Sequence, residues 1–77
     1  MNILKLKEFN NEHIVYLYQP EGTGGYGEIA YVFADKEVKI LKRAEESSSW
    51  YANHALKKIK ECVKDNNLPI EIINAWY

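Results

Sequence analysis

The sequence predicts a small α+β domain of two layers. An antiparallel β-meander of about four strands carries one long helix on one face, with a short C-terminal segment after it. Three observations predict this. Four apolar stretches with strand-like alternation fill the first 43 residues, separated by short turn-rich links. One stretch of helical period follows, at about residues 49–66. The chain has 77 residues, 47% of them hydrophobic and 27% charged, which is a globular composition and a length for one domain, 1–77.

The elements follow in order. From Met1 to Phe9, Ile3, Lys5 and Lys7 share one parity and Leu4, Leu6 and Glu8 the other. Period two predicts a strand with one wet face. Asn10-Asn11 has turn chemistry, because asparagine tolerates left-handed dihedrals. His13 to Gln19 is β-branched and aromatic, and Pro20 ends it because proline cannot donate to a ladder. Glu21 to Gly27 holds all four glycines and reads as a loop. Glu28 to Ala34 reads as the third strand. Asp35-Lys36 is the link to the fourth, Glu37 to Arg43.

Ser47-Ser48-Ser49 after Glu45-Glu46 suits a helix start, since serine oxygens accept orphan amide protons and acids suit the positive end. From Trp50, the residues Ala52, Ala55, Leu56, Ile59, Cys62 and Val63 fall on one side. Lys57, Lys58, Lys60, Glu61, Lys64 and Asp65 fall on the other or at its edges. Asn66-Asn67 is the expected stop, with Pro69 beyond it. In the tail, Ile70, Ile73 and Trp76 or Tyr77 fit a short helix. Ile70 and Ile72 fit a strand instead, and the helix is the expectation.

Charge and cysteine exclude several function classes. Ten basic against eleven acidic side chains give a net charge of −1. Residues 1–35 hold two basic and five acidic groups, net −3, and residues 36–77 hold eight and six, net +2. Nucleic-acid domains carry a clear basic excess, and this chain does not. Cys62 is the single cysteine, so no disulfide framework exists within the chain. No run approaches about 18 apolar residues, and Lys5, Lys7 and Glu8 interrupt any apolar leader. The expected location is cytoplasmic, away from membranes.

Gly22-Thr23-Gly24-Gly25-Tyr26-Gly27 matches G-x-G-x-x-G. The dinucleotide form needs a strand before it and a helix after it, and here a strand follows. The kinase form joins two strands and has a lysine on the next one, which Lys39 imitates. No His-Arg-Asp loop, Asp-Phe-Gly segment or second lobe follows, so the loop is expected to be a connector. His13, His54 and Cys62 lack metal-ligand spacing, and a thiol in a helix middle on the apolar side is not activated. No catalytic residue, metal or cofactor is expected, and the chain reads as a non-enzyme.

The aromatic residues are the richest signal: ten of 77, six of them tyrosine. Tyr16 and Tyr18 share a parity with Ile14, and Tyr31 and Phe33 share one with Ile29. The other parity holds Val15, Leu17, Ala30 and Val32. Both faces are apolar in the middle and one helix covers only one. The tyrosine-rich face is therefore expected to meet the tail, through Trp76 and Tyr77, or a second chain. Trp50 and His54, four apart on the helix and off its apolar stripe, are further contact candidates. The expected function is a small binding or interaction module, acting by protein–protein contact or self-association as a homodimer through the aromatic face. The alternative is a binder of single-stranded nucleic acid or nucleotide, using that face or the Gly22–Gly27 loop.

Overall fold

Period-two alternation becomes four consecutive strands in the computed structural model, which describes residues 1–44 and 50–74. These are β1 (Asn2–Phe9), β2 (His13–Pro20), β3 (Gly27–Val32) and β4 (Glu37–Lys42), each antiparallel to its neighbour. The Asn10 side chain makes the first turn, its Oδ1 accepting from the amides of Glu12 and His13 at 2.8 and 3.0 Å. The third strand stops at Val32, two residues short of the expected Ala34, so Phe33 lies in the turn. That turn has no glycine and uses Lys36 at φ 53° instead.

Helix α1 spans Trp50–Lys64, within the expected bounds. Its expected serine cap, 47–49, lies outside the described residues. Its end is the expected one: Asn66 adopts φ 54°, its amide donates to Val63 O, and the Asn67 amide reaches Cys62 O. This is the Schellman arrangement, which satisfies carbonyls that the last turn would leave orphaned.

The tail corrects the expectation of a short helix. Glu71–Asn74 is a fifth strand, β5, antiparallel to β1, and the sheet order is β4-β3-β2-β1-β5. The physical reason is the outer edge of β1. Without β5 that edge would be unpaired, and pairing satisfies both strands. The helix makes this possible by its length. Fifteen residues at about 1.5 Å each give about 22 Å, close to the roughly 19 Å between the outer strands of a five-stranded sheet. The chain leaves β4 at one edge and returns at the other.

The second correction concerns which face the helix covers. Leu4, Ile14, Tyr16, Tyr18, Ile29 and Ile72 point at α1 and join Ala52, Ala55, Ile59 and Cys62 in one buried cluster. The tyrosine-rich face is thus the one that the helix covers, with Ile72 of the tail packed beside it. Volume complementarity is the reason. Ala52 and Ala55 are small enough for the helix to sit over two tyrosine rings, whose large area dominates the core.

Buried phenols need partners, and both have them. Tyr16 donates to Pro69 O at 2.6 Å, and Tyr18 Oη accepts from the Ala44 amide at 3.0 Å. Two asparagines tie the helix to the paired strands β1 and β5. Asn2 Nδ2 donates to Tyr51 O at 2.8 Å and Asn74 Nδ2 to His54 O at 3.3 Å.

Burial, and secondarily the nearby Cys62, pushes the Tyr16 phenol up to about 12 from 10.0. The folded pKa lies above the unfolded one. The neutral phenol therefore contributes stability below pH 10, and that stability is lost as pH rises toward 12. Two pH units correspond to about 3 kcal/mol. Tyr16→Phe should lose roughly 1–3 kcal/mol at neutral pH, because Pro69 O loses its donor. The fall in stability between pH 10 and 12 should shrink in this variant. Urea unfolding at pH 8 and pH 11 checks both, and an unchanged alkaline limb would mean another group drives it.

Candidate interaction surface

The strand alternation that drives Tyr16 and Tyr18 under α1 turns the other parity outward. The side of the sheet away from the helix carries Lys5 and Lys7 of β1, Val15 and Leu17 of β2, and Glu28, Ala30 and Val32 of β3. Lys39 and Leu41 of β4 and Ile73 of β5 complete it. Two irregularities shape this face. Register shifts occur in β1 between Leu6 and Glu8, and opposite Glu28 and Ile29 where β4 has Leu41 as an extra residue. Such bulges bend a strand and re-aim its side chains.

The result is a shallow depression of about 470 Å³ with Val15, Ala30 and Val32 at its floor. Lys7, Glu8, His13, Glu28, Lys39 and Leu41 form the rim. Val15 and Ala30 are only 5% and 4% exposed although, among the described residues, no second layer of secondary structure lies over them. Long rim side chains do the covering, since lysine stems lie along apolar surface while their ammonium groups stay wet. Each of these lysines is steadied by a neighbour. Lys7 pairs with Glu28 at 2.5 Å and Lys39 with Asp35 at 3.4 Å. Lys5 donates to Tyr26 Oη at 3.3 Å and sits 5.6 Å from that ring's centre. His13 Nε2 meets Glu8 Oε2 at the rim. Leu41 and Ile73 stay exposed on this face, at 58% and 65%.

The residues singled out in the sequence fall in separate places. Tyr16 and Tyr18 are fully buried under the helix and cannot meet a partner or stack a base. Tyr31 and Phe33 sit at one corner of the sheet, 5.6 Å apart edge to face, with Phe9 6.5 Å from Phe33. Phe9, Phe33, Ile14, Val63 and Leu68 line a cleft of about 160 Å³ there. Trp50 is exposed on the first helical turn and its ring lies 5.0 Å from His54. Trp76 and Tyr77 lie outside the described residues.

The sequence reading finds the apolar parity of Val15, Leu17, Ala30 and Val32 but gives it to the helix; it is the outward face, with Leu41 added. The available signal was the run Ala52, Ala55, Cys62 on the helix. Small residues there call for large ones opposite, which selects the tyrosine parity for the core. Cys62 itself is buried, and burial pushes its thiol up, away from the reactive thiolate.

Among the described residues, no helix is long and apolar enough to cross a membrane. No protein-family model, curated protein or solved structure matches this chain.

Proposed function

We propose that this chain is a non-enzymatic interaction module that presents the helix-free face of its sheet to a polypeptide partner. One observation carries this reading: a shallow depression on the helix-free face has an aliphatic floor of Val15, Ala30 and Val32 beneath long rim side chains, with Leu41 exposed at its rim. An antiparallel sheet with one wet face normally alternates cleanly to polar residues on that side. Here the centre of the wet side stays aliphatic and the charges stand around it. That layout, an apolar centre within a polar rim, is that of a protein–protein contact patch. The charges on the rim are of both signs and mostly paired, which suits a polypeptide better than a polyanion. The stacking platform that single-stranded nucleic acid needs is reduced, because Tyr16 and Tyr18 lie in the core.

Selection of a random peptide library against the folded chain tests this. Selected peptides should shift the amide resonances of Val15, Ala30 and Val32. Leu41→Glu should weaken them about tenfold or more, since it puts a charge against the apolar centre. Leu41 is exposed, so the fold survives the change. Peptides that bind elsewhere, or that ignore Leu41→Glu, would refute the reading. A strongly salt-dependent shift on adding an oligonucleotide would favour nucleic acid instead.

A further inference from the structure

Strand β4 ends the sheet, and among the described residues nothing pairs with its outer edge. The strand has six residues, and alternate ones turn their backbone N–H and C=O groups away from β3, toward this open edge. Its apolar centre is accessible: Val38 is half-buried, and Ile40 and Leu41 are exposed. Its ends differ in charge. Glu37 stands at the start, and Lys42 and Arg43 stand at the close, all three exposed.

We infer that two copies of this chain pair through β4, antiparallel about a two-fold axis, into one continuous ten-stranded sheet. Charge complementarity selects this occupant. Antiparallel pairing centred near Ile40 sets Glu37 of each copy against Lys42 and Arg43 of the other. The same favourable contact then occurs twice, as a self-complementary interface requires. No lysine meets its own copy in that register.

Edge lysines usually blunt such strands. The lysine in mid-strand, Lys39, is drawn back to Asp35 of its own chain and rims the open face. The opposite edge is a poorer candidate, because among the described residues β5 has four, with Glu71 and Asn74 at its ends. The two-fold axis stands perpendicular to the sheet, so both helices lie on one side. On the other side the two depressions join into one surface. The inference rests on the reading of the chain as an interaction module and names a second copy as its partner.

Sedimentation of the intact chain with two charge variants tests it. Wild type should run at twice 9.0 kDa at high concentration. Glu37→Lys alone should place like charges at both ends of the interface and raise the dimer dissociation constant about tenfold or more. Lys42→Glu with Arg43→Glu should do the same with the opposite sign. An equal mixture of the two variants should restore the dimer, because each now carries the end charge that the other needs. Circular dichroism confirms that both variants fold. A wild type that stays at 9.0 kDa up to millimolar concentration would overturn the inference while leaving the peptide-binding result untouched. A dimer indifferent to both variants, or not restored by mixing, would overturn it too, since the contact then lies elsewhere.

Discussion

Gly27→Ala should destabilise the fold by roughly 3–5 kcal/mol, enough to unfold much of the population. Gly27 and Tyr18 are cross-strand partners on the helix-facing side. A methyl group on Gly27 would stand 2.1 and 2.5 Å from Cε1 and Cζ of the Tyr18 ring, and 2.7 Å from the Ala44 amide nitrogen. Real Cβ atoms do not approach so closely, so something must move.

The ring has nowhere to go. It is fully buried, and its hydroxyl is held by the Ala44 amide at 3.0 Å. Overpacking costs about 1–3 kcal/mol. Leaving a buried amide without its acceptor adds roughly 1–3 kcal/mol. The total stability of a 77-residue domain is about 4–12 kcal/mol. Gly25→Ala is the control, since open space surrounds that position, and it should change stability by under about 0.5 kcal/mol. Urea denaturation of both variants decides it. A Gly27→Ala protein within about 0.5 kcal/mol of wild type would mean the Tyr18 ring does not lie over Gly27.

This position also shows what a sequence conceals. Gly22, Thr23, Gly24, Gly25, Tyr26 and Gly27 read as one glycine-rich connector, yet the glycines have different work. Gly22 and Gly24 take positive φ, at 70° and 78°, as a turn residue without a side chain can. Gly27 instead begins β3 and leaves room for the Tyr18 ring of the preceding strand, β2. Pattern matching to phosphate-binding loops cannot see that difference, because it depends on a residue nine positions earlier.

The strands, the helix and its asparagine stop were legible because each rests on local chemistry: period two, period 3.6 and a left-handed cap. The face assignment was not local. Both parities of β2 and β3 are apolar, so alternation alone could not say which one meets the helix. The sizes of Ala52 and Ala55 decide it. The fate of the tail was equally non-local. Ile70, Ile72 and Ile73 satisfy either period, and the unpaired edge of β1, some 70 residues earlier, makes the segment a strand. The candidate surface followed from the face assignment. Once the tyrosines are core, Val15, Ala30 and Val32 must turn to the side the helix leaves open.

The same packing makes Ile59 the most consequential residue of the helix. Four helix residues are buried: Ala52, Ala55, Ile59 and Cys62. Three are small, so Ile59 supplies the one large aliphatic side chain that α1 places wholly inside the core. Truncation to Ala removes its transfer energy and leaves a cavity, because tyrosine rings fixed by hydrogen bonds on the sheet cannot relax into it. The expected loss is roughly 2–5 kcal/mol.

Leu56, although on the same apolar stripe by period, is only half-buried beside the cluster. Its truncation should cost clearly less, about 1–2 kcal/mol. Lys58 pairs with Glu61 at 3.4 Å and both side chains are partly exposed, so Lys58→Ala should stay under about 0.5 kcal/mol. With a urea slope of about 1 kcal/mol per molar for a chain this small, the Ile59 variant should lose about 2 M or more in midpoint. The order Ile59, Leu56, Lys58 is the result that matters. Equal losses at Ile59 and Leu56 would rotate the helix away from the alanine seam, and with it the assignment of the tyrosine face to the core.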